Sequence, residues 1–230
     1  MRKSVPIRLF GFALLALASC QAKPDVKAEC NYYGTNNRDF SIAASAALDA
    51  GQMGGMLMPE LGGRSGRNGS DRDTRFLNAV AKSGMRVVNA LDSFDAAKIE
   101  RYKKEIGSKT FAIAPEDKDK FEGVQYLIVY GTGSERKMRP EHVGTKKNGD
   151  PIYRNRPYFH NSLDMKFWWI RGGDLIATVV AEGNYDTADN YSGMDDTVAD
   201  ALIRAGVPGT NTNVVRTTSR PGEPSEPGAK

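Results

Sequence analysis

Ser162-Leu-Asp-Met-Lys-Phe-Trp-Trp-Ile-Arg-Gly-Gly-Asp-Leu-Ile-Ala-Thr-Val-Val-Ala-Glu182 is the stretch that decides the fold. Leu163, Met165, Phe167 and Trp169 occupy every second position, so an extended chain puts all four on one face. Gly172-Gly173 turns the chain, and Asp174 to Glu182 returns with Ile176, Thr178 and Val180 expected on the facing row. The pattern is a β-hairpin with Trp169 buried and Trp168 more exposed. Its Arg171-Gly-Gly-Asp174 tip is turn chemistry rather than a recognition motif.

Upstream, Val124 to Tyr130 is nearly all apolar or β-branched, which marks a central strand buried on both sides. Gly131-Thr132-Gly133 lacks the third glycine and the helix of a dinucleotide site and reads as a turn. Ser70 and Asp73 form a capping box ahead of Phe76, Leu77 and Val80 at helical spacing, Gly84 stops that helix, and Met85 to Ala90 is a short strand. Asp92 or Ser93 is expected to cap a second helix with Ile99, Tyr102 and Ile106 as its apolar stripe, Glu100 pairing with Lys104, and Gly107 at its end. A last helix runs from a Ser192 and Asp195 capping box through Val198 and Leu202 to Gly206. The fold class is α/β: a single three-layer-like α/β domain with a mixed sheet ending in a long antiparallel hairpin, over residues 70–215.

Residues 1–19 read as a signal peptide. Arg2, Lys3 and Arg8 precede or open the apolar run Leu9 to Ala18, which is too short to cross a bilayer, where about 20 residues are needed. Leu17-Ala18-Ser19-Cys20 has the form of a lipobox, so Cys20 is the expected lipidation site, carrying diacylglycerol and an acylated amino terminus of the palmitate kind. An ordinary signal cut after Ala18 is the alternative. Gln21, not Asp, follows the cysteine and resembles the enteric signal for an outer-membrane, periplasm-facing protein; inner against outer membrane stays open.

Losing Arg2, Lys3 and Arg8 takes the formal charge from +4 to +1, so the mature chain is balanced and no nucleic-acid partner is expected. Residues 20–40 are polar and read as a lipid-anchored tether. Residues 41–69 are Ala-, Gly- and Met-rich: Ser41 to Ala50 suits a small-faced helix, which Gly54-Gly55, Pro59 and Gly62-Gly63 break. The glycine-rich run from Gly62 to Ser70 lacks the G-K-[ST] ending of a phosphate loop and reads as a connector. Residues 216–230 hold three prolines and no periodic apolar residues, a disordered tail.

Between the central strand and the hairpin, residues 134–161 are polar and interrupted by Pro140, Pro151 and Pro157. They read as a loop too polar to pack. Arg136, Lys137, Arg139, Lys146, Lys147, Arg154 and Arg156 outnumber Glu135, Glu141 and Asp150, which makes these seven the expected partner-binding residues. The segment from Glu182 to Asp200 is acidic, and pairing with it inside one chain, contact between copies, or an anionic envelope polymer are all open.

No catalytic or metal site emerges. Cys30 is the odd cysteine if Cys20 is acylated, and the two cysteines with His142 and His160 have no ligand spacing. His160, Ser162 and Asp164 share a strand face without a nucleophile elbow. Asp186, Asp189, Asp195 and Asp196 lack EF-hand spacing and read as a solvated acidic face. No cofactor is expected.

The order helix, strand, helix, buried strand and long hairpin resembles the α/β domain of the curli secretion lipoprotein CsgG and the penicillin-binding-protein activator LpoB. Phe76-Leu-Asn-Ala-Val80, Met85-Arg-Val-Val88, Phe121-Glu-Gly-Val-Gln-Tyr-Leu-Ile-Val129 and Leu163 to Val180 carry the resemblance, which is one of pattern order. That family opens with a β-rich strand, whereas Phe40 to Leu57 here is Ala- and Gly-rich. Residues 134–161 show no lipid-facing alternation, so no channel is read. The expected function is a non-enzymatic binding or assembly component of a cell-envelope or secretion complex, with homo-oligomers open. The alternative is an envelope hydrolase of unrecognised active site.

Overall fold

The computed structural model describes residues 25–42, 44, 54–59, 69–108 and 111–210. The expected signal peptide, Cys20, Gln21 and the tail 216–230 lie outside them. So does most of the glycine-rich run and of the expected Ser41 to Ala50 helix, of which a helical turn over residues 38–42 is described.

One six-stranded mixed sheet organises the chain, in the order β1-β6-β5-β4-β2-β3. β1 (Val26–Tyr32), β6 (Asp174–Tyr185), β5 (Pro151–Trp169) and β4 (Val124–Thr145) are antiparallel neighbours, and β2 (Gly54–Pro59) runs parallel to both β4 and β3 (Arg86–Asn89). Helices α1 (Gly69–Lys82) and α3 (Met194–Arg204) cover one face; α2 (Ala96–Glu105) covers part of the other. The result is the expected α/β class with a mixed sheet.

Two strands arise upstream of residue 70, one in the presumed tether and one in the segment where a first strand was left open. β1 lies inside the presumed tether, its Ala28 and Cys30 packed against the core beneath α3. β2 lies inside the Ala/Gly/Met-rich segment and is wholly buried. Gly54 is required there: a Cβ would stand 2.1 Å from the Gly123 carbonyl oxygen, so the strand's composition records a close backbone approach. Met56 and Met58 point to the α2 side and Leu57 to the other.

The larger core sits between the sheet and α1 and α3. Leu163, Met165, Phe167 and Trp169 all face it, as their alternation required, joined by Tyr126, Ile128 and Tyr130 from the central strand. Trp169 is buried and meets Phe40 edge-on at 5.4 Å, while Trp168 is part-buried against the smaller core. On β6 Ile176 is buried in the larger core as expected, and the rest of the row is corrected. A bulge between Phe167 and Trp168 leaves Ile176 as the extra residue, so Ala177, Val179 and Ala181 turn inward and Val180 is 42% exposed.

Helix ends differ from expectation. α1 is described from Gly69, and Asp73 in its first turns accepts from the Tyr130 hydroxyl. Asp95, not Asp92 or Ser93, caps α2 by accepting from the Lys98 amide at 2.8 Å, and Glu100 pairs with Lys103 rather than Lys104. Gly193, left-handed at φ 81°, precedes α3 in place of Ser192; Asp195 is committed to Lys82.

Candidate functional site

The polar segment 134–161 is not a loop. β4 runs straight through Gly131-Thr132-Gly133, where a turn was expected, and pairs with β5 out to Thr145↔Pro151. No pairing of β4 with β2 is described beyond Tyr130, and none of β5 with β6 before Phe159, so among the described residues the two continue as a two-stranded ribbon. Charge and proline hide this pairing from a hydrophobicity pattern, since neither side of the ribbon has a core to face. The turn at its tip is held by the Lys146 amide donating to the Asp150 carbonyl at 2.7 Å.

Cross-strand register sorts the side chains. Directly opposed residues share a side, and the pairs Lys137↔Tyr158, Arg139↔Arg156 and Glu141↔Arg154 share one with Glu135↔His160. The pairs Arg136↔Phe159, Met138↔Pro157, Pro140↔Asn155 and His142↔Tyr153 share the other. One side is charged; the other is mostly apolar, with Met138 56% and Tyr153 62% exposed. The alternation absent from either strand read alone is present in the ribbon.

Of the seven expected partner-binding residues, Lys137, Arg139, Arg154 and Arg156 are therefore brought together, Arg136 is placed on the opposite side, and Lys146 and Lys147 sit at the tip. Arg156 bonds Glu141 at 3.1 Å and approaches Asp186 at 3.7 Å, Arg139 reaches Asp186 at 4.0 Å, and Lys137 meets Glu135 at 3.1 Å. Pairing with the acidic segment inside one chain thus occurs, through Asp186 alone among its described residues. Lys82 takes Asp195 and Asp196. Arg136, Arg154, Lys146 and Lys147 make no ion pair among the described residues.

A buried polar staple fixes the ribbon's base. Asn161 accepts from the Ser134 hydroxyl at 2.6 Å and donates to the carbonyls of Asn190 at 2.7 Å and Thr187 at 3.2 Å, tying the root of the ribbon to the loop before α3. Sequence reading missed Asn161; a lone Asn ahead of an alternating strand was its only signal.

The remaining chemical candidates are dispersed. His160 contacts Asn184 at 3.1 Å and Glu182 at 3.6 Å, on the same strand face as Ser162 and Asp164. Cys30 is a free, part-buried thiol that burial pushes up to about 11. Among the described residues no group of three or more His, Cys, Asp or Glu is placed to hold a metal, and no helix is long and apolar enough to cross a membrane.

No known protein family matches the chain, and no curated protein does. Among solved structures it is similar to the PelC dodecamer from Paraburkholderia phytofirmans, at 8% identity and a TM-score of 0.36 over 77% of this chain and 95% of that one. It is also similar to lipoprotein GNA1162 from Neisseria meningitidis, at 16% identity and 0.31 over 66% and 95%. A PDZ domain protein from Parabacteroides distasonis gives 10% and 0.32 over 82% of this chain and 37% of its own.

Proposed function

We propose that this chain is a non-enzymatic envelope lipoprotein, anchored through Cys20 and facing the periplasm, that works as a binding or assembly component of a CsgG- or LpoB-like cell-envelope or secretion complex. The observation that carries the reading is the ribbon. A two-stranded hairpin standing clear of its sheet gains little from burial, yet this one holds Lys137, Arg139, Arg154 and Arg156 together on one exposed side. Such a side is suited to an acidic protein surface: clustered cations speed encounter and set register.

The test begins with the full-length protein extracted from membranes, to identify what copurifies. The variant carrying Lys137→Gln, Arg139→Gln, Arg154→Gln and Arg156→Gln is then compared with the parent for binding that partner at two ionic strengths. Weaker binding with a shallower salt dependence, at unchanged thermal stability, is expected, because exposed ion pairs contribute about 0–1 kcal/mol to folding. Equal affinity and equal salt dependence in both proteins would refute the reading.

A further inference from the structure

The ribbon's second side carries its own consequence, through where the chain begins. Val26 stands opposite Gly183, Gly183 opposite Asn161, and Asn161 opposite Ser134. The described chain therefore starts at the end of the sheet from which the ribbon projects. On the reading that Cys20 is lipidated, only five residues separate the anchor from Val26, a reach of about 20 Å at most. From Ser134 to Thr145 the ribbon runs about 36 Å at roughly 3.3 Å per residue. A ribbon longer than the tether, leaving the tethered end of the domain, meets the bilayer.

It meets it as an amphipathic element. Met138, Pro140, Tyr153, Pro157 and Phe159 lie on one side, Val143 and Ile152 are exposed near the tip, and Lys146 and Lys147 close the turn. Apolar side chains flanked by Lys belong at the boundary between acyl chains and anionic headgroups. Crossing the hydrocarbon is a poor fit: the apolar side also holds Arg136, His142 and Asn155, and the outer edges of both strands lack partners among the described residues, which a bilayer core does not tolerate. We infer that the apolar side of the β4–β5 ribbon lies along the surface of the membrane that holds the lipid anchor, leaving the charged side turned toward a partner. This inference rests on the Cys20 reading proposed above.

The experiment places a single bimane-labelled cysteine in the full-length protein with Cys30→Ala, at Met138→Cys, Tyr153→Cys or, as control, Glu105→Cys on α2 at the opposite end of the sheet. Each protein is reconstituted in vesicles containing phosphatidylglycerol and lipids bearing a nitroxide near the headgroup. Quenching at 138 and 153 at least twofold stronger than at 105 is expected. Equal quenching at all three positions would overturn the inference, as would shielding of 138 and 153 from a soluble quencher without lipid quenching, the mark of a protein partner on that side. Intact mass reports separately whether Cys20 carries lipid. Should it carry none, the anchor reading falls by itself, and the same comparison in the Cys20→Ser chain added to the vesicles decides the ribbon.

Discussion

Tyr102 donates its hydroxyl to Asp117 Oδ2 at 2.7 Å, inside the smaller core, where that carboxylate is 1% exposed. Lys98 completes the arrangement with Nζ 2.8 Å from Oδ1, and Lys120 stands at 3.6 Å. A carboxylate this enclosed stays charged only when it is paired and hydrogen-bonded, as Asp117 is. The hydrogen bond from Lys98 holds its pKa below the ordinary carboxylate range, ahead of the opposing effect of burial.

The first prediction follows from the sign of that shift. Asp117 binds its proton less readily folded than unfolded, so its contribution to stability is present above the unfolded pKa, near 4, and is lost as pH falls through the lower folded value. Asp117→Asn is expected to lower the urea midpoint at pH 7 and to do so less at pH 3. A loss of equal size at both pH values would show that the ion pair does not contribute.

Adjacent tryptophans should separate in cost. Trp169→Ala removes a buried ring packed on Phe40 and is expected to cost about 3–5 kcal/mol. Trp168→Ala, at the edge of the other core, should cost clearly less. Urea unfolding of both variants measures the difference, and an equal loss would contradict the face assignment.

The bulge on β6 makes a finer test at neighbouring positions. Val179→Thr places a hydroxyl in the larger core and is expected to cost about 1–3 kcal/mol. Val180→Thr on the open face should stay within about 0.5 kcal/mol. Thermal unfolding of the pair would reverse this order if the chain kept the unbulged register.

Asn161→Ala strips three hydrogen bonds from the ribbon's root and leaves two carbonyls without that donor. A cost of about 1–3 kcal/mol is expected. Amide exchange should quicken in residues 186–193 and in the ribbon, while α1 and α2 keep their protection; uniform quickening would mean that Asn161 supports the whole domain rather than this joint.

The hairpin and the central strand were legible because Leu163, Met165, Phe167 and Trp169 obey a period of two and Val124 to Tyr130 is nearly all apolar. Val180 was misplaced because an inserted residue reverses parity, which no single strand announces. β2 was hidden by Gly54, whose value lies in a neighbour's carbonyl rather than in any side chain of its own. The basic residues of the candidate site were legible as a cluster, yet their division into a charged and an apolar side follows from pairing across strands. Arg136 shows the gap: adjacent to Lys137 in sequence, it stands on the other side of the ribbon.

Tyr33 and Thr178, which share a side-chain hydrogen bond of 2.9 Å, stand 145 residues apart. The first strand of the sheet can thus close only onto the last, and its docking costs the entropy of a loop holding most of the chain. While the chain is made amino terminus first, β1 has no template until β6 arrives. The edge strand is the first of the sheet to be made and cannot close until nearly all the other strands exist.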